Sequence, residues 1–169
     1  MNLRRQVLRG QILPTLIALL VVGAVLYGAR SSLVASAQAS RSQRALVLIN
    51  SVLADVNEIQ ASVRGFTIAG RDEYLSSYAA ARARLTGGLD ELERIYPDGA
   101  GAASQRQRQA VLAARRLSER YVQESAERLI ALRRRSLAEA AAFFSTGTGK
   151  AVVDSIRAEL AGAARREEA

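Results

Sequence analysis

Residues 45–66 read ALVLINSVLADVNEIQASVRGF, and Ala45, Ile49, Val52, Val56, Ile59, Val63 and Phe66 recur within them at alternating steps of four and three. That spacing is a heptad seam, the pattern of a helix that buries one stripe against partner helices. No Pro breaks the chain from Ser31 to Ala69, whose one glycine is Gly65, and Gly70 then supplies a stop. The pattern predicts a helix over about 31–69.

Working outward, Tyr74, Tyr78, Ala81, Leu85, Gly88, Leu92 and Ile95 repeat the four–three rhythm. With acidic residues at its start, this predicts a second helix over about 72–95. Tyr96-Pro97-Asp98-Gly99 is a turn, because Pro presets φ and Gly accepts a positive one. A third helix is expected over about 105–144, with Ser104 as its N-cap and Val111, Val122, Leu129, Leu132 and Phe143 on one face. Ser118, Ser125 and Ser136 interrupt that face and read as points of close helix approach, with a polar, adjustable layer as the rival reading. Gly147 and Gly149 break the chain again, and Val153, Ile156, Leu160 and Ala163 mark a fourth helix over about 149–168. Nothing reads as strand. The economical architecture is all-α, an N-terminal transmembrane helix continuing into a long antiparallel four-helix bundle.

The membrane element is residues 12–29, ILPTLIALLVVGAVLYGA, without a charge. At helical rise it spans roughly 27 Å, near the thickness of a bilayer's hydrocarbon core. Arg4, Arg5 and Arg9 precede it and no acidic residue occurs before Asp55. The positive-inside rule therefore puts 1–11 in the cytoplasm and 30–169 outside, as a periplasmic or extracellular domain on the inner membrane. A cleaved signal peptide is the rival reading, since Ala35-Ser36-Ala37 and Ala37-Gln38-Ala39 fit the cleavage pattern and Arg4-Arg5 resembles a twin-arginine signal. The apolar run is longer than the usual signal core, which favours an uncleaved anchor.

The 169 residues contain no Cys, His or Trp and carry a net charge of +8. The missing ligands and nucleophiles exclude the usual zinc sites, Ser-His-Asp and Cys chemistry, and the phospho-accepting histidine of a kinase core. Of the charge, +3 is the topology signal and +5 is dispersed over helical surface, without the aromatic interleaving that stacks bases, so nucleic acid is not an expected partner. The stretch 145–150, STGTGK, departs from a phosphate-binding loop, since Phe144 stands at the first glycine position and Ala151 at the magnesium-binding hydroxyl. Asp90, Glu91 and Glu93 sit at solvent-facing spacings and read as unpartnered. No catalytic, cofactor or metal site is expected, and the chain reads as no enzyme. Tyr74, Tyr78 and Arg82 form an i, i+4, i+8 stripe that either lines a ligand pocket or packs in the seam.

One feature is more specific than periodicity. Residues 58–75 read EIQASVRGFTIAGRDEYL, with Tyr78, Arg82 and Leu85 beyond. This resembles the signature of the third class of CHASE domains, in which an Arg-Gly-aromatic near the end of helix one precedes a Gly turn and two tyrosines. A second match is Thr146-Gly147-Thr148-Gly149-Lys150 with Asp154, Ile156 and Arg157, similar to the family's Gly-x-Gly-Lys…Asp-x-Ile-Arg. The resemblance covers roughly residues 40–160.

It implies an extracytoplasmic sensory input module of a membrane-bound bacterial receptor such as a sensor histidine kinase, in a two-component system. The output domain would lie outside this chain. Arg64, Tyr74, Tyr78 and Arg82 become candidate ligand or signalling positions. Gly65, Phe66, Gly70, Gly147, Gly149, Lys150 and Asp154 match the motif with structural roles available. The bilayer and a second copy of the chain are the expected partners, with a small-molecule or protein stimulus of unknown identity. The alternative is a membrane-anchored partner-binding or structural bundle without a ligand. Helical rise also sets an expectation: helix three climbs about 60 Å while helix four returns only some 30 Å, which leaves it short of the bilayer and reads as a fragment of a longer receptor, with a naturally single-pass protein as the alternative.

Overall fold

The structure, a computed structural model, describes the backbone of residues 3–99 and 101–168, with the side chains of 38–99 and 101–168 and of Leu20, Val22, Arg30 and Ser36. The chain forms two compact units, Met1–Arg41 and Ser42–Ala169. Helix α1 runs Leu3–Ala69 and contributes to both. In the first unit the expected span 12–29 is helical, and its two described side chains, Leu20 and Val22, are exposed. Its other side chains lie outside the described residues. By length and composition 38–69 also qualifies as a membrane span, but its apolar residues are those of the bundle core.

The second unit is a helical bundle, and the described residues contain no strand. Every residue of the first seam, from Ala45 to Phe66, is at most 3% exposed. Each such Val or Ile contributes roughly 1.5–3 kcal/mol by leaving water. Facing it are α2 (Tyr78–Ile95), α3 (Ala102–Arg120) and α6 (Thr148–Glu168). They supply Leu85, Leu89, Leu92, Val111, Ala114, Val153, Ile156 and Leu160 to the same core. Gly88 stands so near α1 that a Cβ there would lie 2.8 Å from Val52 Cγ2.

Four expectations are corrected. The second helix does not open at 72: a 3₁₀ turn, Asp72–Leu75, comes first and α2 begins at Tyr78. Ser104 is not a cap, because α3 begins at Ala102 behind Gly101. The third helix is not continuous over 105–144. After α3 the chain takes a π-helical segment, Tyr121–Glu127, then α4, Arg128–Arg135, and stops at Ser136, whose backbone is extended at φ −154°. Ser136 is the N-cap of a new helix, α5 (Leu137–Ser145), and its hydroxyl accepts from the Glu139 N–H at 3.3 Å. Ser-x-x-Glu is a capping signal that outranks the heptad face running through it. α5 folds back along α4, so that the Arg128 guanidinium lies 4.9 Å from the Phe143 ring centre.

The last correction concerns the acidic trio, which is partnered: Arg115 bridges Asp90 and Glu93, and Arg44 pairs with Glu91. The fold-back at Ser136 also shortens the climb assumed from sequence. Within the bundle α6 returns fully, and Glu167 near its end receives hydrogen bonds from Ser42 and Tyr96, each 2.6 Å.

Candidate functional site

α1 ends where Gly70, at φ +70°, accepts a left-handed conformation costly for other residues. Arg133 reaches over this end, its Nε donating to the Thr67 carbonyl at 2.7 Å, and Arg134 pairs with Asp72 and lies over the Phe66 ring. A Cβ on Gly65 would lie 2.5 Å from the Tyr74 ring, so that ring rests directly on the glycine. Tyr74 is also stacked beneath the Arg71 guanidinium. Thus Gly65, Phe66, Gly70 and Tyr74 build the α1–α2 corner.

Beside this corner, between the last turns of α1, the π-helical segment and the α5–α6 junction, lies a cavity of about 540 Å³. Its walls are mostly apolar: Val63 and Ile68 from α1, Ala126 from the π-helical segment, Leu129 from α4, and Phe143 and Phe144 from α5. Polar groups are few, namely Arg64, Gln60 and Thr67 on α1, Tyr121 and Ser125 on the π-helical segment, and Lys150 on α6. This balance of apolar wall and sparse polar groups is that of a small-molecule site, and π-helical turns are frequent at functional sites. The wider turn brings both Tyr121 and Ser125 to the cavity, two buried residues four apart.

The second motif forms the opposite wall. Gly147, at φ +69°, turns the chain from α5 into α6, and Gly149 packs beside Tyr121 and Ser125. Lys150 is ion-paired with Asp154, and this hydrogen bond holds the Asp154 carboxyl below the usual range. Arg157 donates to Asp154, to Asn57 at 2.6 Å and to Gln60 at 3.3 Å, tying α6 to α1.

Of the four candidate ligand positions only Arg64 lines this cavity. The Tyr74–Tyr78–Arg82 stripe is broken by the 3₁₀ turn, and Tyr74 faces Gly65 instead. Tyr78 and Arg82 border a separate, open cleft on α2, where Arg82 pairs with Glu127 at 2.6 Å. The Tyr78 hydroxyl is buried without a partner, and burial, reinforced by Glu127, raises its pKa. Burial pushes Tyr121 further, to about 12, against the opposing pull of Arg64 and Arg157. The sequence reading missed Tyr121 and Gln60 as lining residues, and it read Ser125 as a point of close helix approach. A π-helical turn has no residue signature, and an i, i+4 tyrosine–serine pair is common on any buried helix face.

Comparison with curated proteins found no match, and comparison with solved structures found none either. A family model, that of the CHASE3 domain, matches residues 35–169, which include both motif stretches and every residue lining the cavity. The chain therefore belongs to the CHASE3 domain family, a family of extracytoplasmic sensory modules of receptors.

Proposed function

We propose that the chain is the signal-sensing input of a bacterial membrane receptor, anchored through residues 12–29 with its N-terminus in the cytoplasm. The cavity carries this reading. Two of its walls come from the motif stretches about 80 residues apart, so an occupant touches the end of α1 and the start of α6 together. An occupant that binds one arrangement of these helices better than another shifts their equilibrium by that difference. The output is a histidine kinase whose catalytic core lies outside these residues, since the chain has no histidine to phosphorylate. A second copy of the chain completes the receptor, with exposed Val47 on α1 as a point of helix contact.

Reporter fusions test the topology. Alkaline phosphatase joined after residue 169 is expected to be active in bacterial cells, and green fluorescent protein joined before residue 1 to fluoresce. An inactive phosphatase overturns the orientation. The chain has no native cysteine, so Val47→Cys gives a single crosslinking site. A covalent dimer in membranes is expected. Its absence leaves the monomeric, partner-binding bundle as the better account.

A further inference from the structure

We infer that the cavity binds a small amphipathic monoanion, a carboxylate on an apolar body, with Arg64 and Ser125 as its polar contacts. This deepens the sensory reading above by naming the class of ligand.

Three independent features converge on it. Arg64 lines the cavity, and among the described residues it has neither a hydrogen bond nor an ion pair. The other lining cation, Lys150, is already paired with Asp154, and no acidic side chain belongs to the lining. One uncompensated guanidinium matches one negative charge, and its planar fork matches a carboxylate's two oxygens.

Ser125 is 4% exposed, lines the same cavity, and its hydroxyl has no partner. A buried donor left unpaired costs free energy that an acceptor on a ligand recovers. Tyr121 is held in its neutral, hydrogen-bond-donating form well above physiological pH.

The third feature is the start of α6. Its first turn contributes Gly149 and Lys150 to the wall and contains no acidic residue. The positive end of a 21-residue helix therefore borders the cavity. The body of the ligand follows from the remainder of the lining. Phe143, Phe144 and Leu129 offer no hydrogen-bonding group, and the volume of about 540 Å³ suits a ligand the size of an aryl or medium alkyl acid.

The test titrates 3-phenylpropionate and octanoate, with the uncharged 3-phenylpropionamide, into the whole chain in phosphatidylcholine nanodiscs. Calorimetry is read against empty nanodiscs. At least one acid is expected to saturate, and its arm tells an aromatic source from an alkyl one. The amide should bind the chain at least about tenfold more weakly than its acid. Arg64→Gln, on an exposed residue, should weaken the acid at least about tenfold and leave the amide unchanged. Ser125→Ala should weaken the acid about threefold or more. Failure of both acids to saturate at millimolar concentration overturns the inference. So does an amide that matches its acid, or an Arg64→Gln chain that keeps full affinity. Because binding is read on this chain without any output, such a failure leaves the sensory reading standing for another stimulus. A failed topology fusion, conversely, leaves the binding result interpretable.

Discussion

Where α6 finishes, three donors converge on one carboxylate: Ser42, Tyr96 and Gln107 each donate to Glu167 at 2.6 Å. Gln107 donates further to the Ala163 carbonyl at 3.0 Å and accepts from Arg166. Where α6 begins, the pattern is reversed. Ser125 buries a hydroxyl without a partner, a π-helical turn replaces regular helix, and a cavity of about 540 Å³ stands open beside it. Both regions belong to one bundle with one seam, and each contains buried polar groups. They differ at their centres: around Glu167 the buried side chains bond one another, whereas at the cavity the Ser125 hydroxyl has no partner. Satisfied polar groups define a single arrangement, whereas unsatisfied ones beside a void leave free energy for an outside molecule to supply.

The contrast can be broken most easily by truncating leucines. Leu160→Ala, at a position 0% exposed near the satisfied end, should cost toward the upper part of about 2–5 kcal/mol. Leu129→Ala should cost toward the lower part, because its side chain already borders a void and fewer contacts are lost. Chemical denaturation of the two variants compares them directly, and equal costs would remove the packing difference between the ends.

Alkaline pH tests the open end alone. The Tyr121 pKa rises from about 10 in the unfolded chain to about 12 in the fold, so the folded state favours the protonated form. This stability is fully present below pH 10 and is lost as pH rises through the folded value, by about 2–3 kcal/mol. Thermal unfolding followed by circular dichroism between pH 9 and 12 should show the decline. Tyr121→Phe should flatten the decline and leave the part that Tyr78, also raised by burial, contributes; an unchanged slope would place the titration elsewhere.

Two polar deletions sharpen the comparison further, because their signs should differ. Gln107→Ala strips the Glu167 carboxylate of a donor in a half-buried site and should destabilise by about 1–3 kcal/mol. Ser125→Ala removes a hydroxyl that has no partner and should be neutral, or stabilising by up to about 1 kcal/mol, in the unliganded chain. Melting temperatures of the pair decide the matter: a cost for Ser125→Ala equal to that of Gln107→Ala would mean the hydroxyl is satisfied.

Much of the fold is legible along the chain because heptad burial is a local, periodic signal. The seam read from residues 45–66 is the buried face of α1 without exception. The α6 positions Val153, Ile156, Leu160 and Ala163 are likewise all buried. Ser136 was legible too, as the first residue of Ser-x-x-Glu, but the apolar face running past it concealed the cap. The site is less legible. Arg64, Gly147, Gly149 and Lys150 are marked by their motifs and meet at the cavity, while Tyr74, equally marked, packs on Gly65 instead. Nothing in the order of residues says that Tyr121 joins them.

The sequence by itself determined an all-helical chain, the seam it buries, the uncharged run at 12–29 and the residues at its turns, because periodicity, capping and charge are properties of near neighbours. Only the tertiary structure decided that α5 turns back, that α6 returns level with Ser42, and that Arg64 and Ser125 share a cavity. Those outcomes depend on how side chains from distant segments fill or fail to fill one volume, and packing of that kind has no period along the chain.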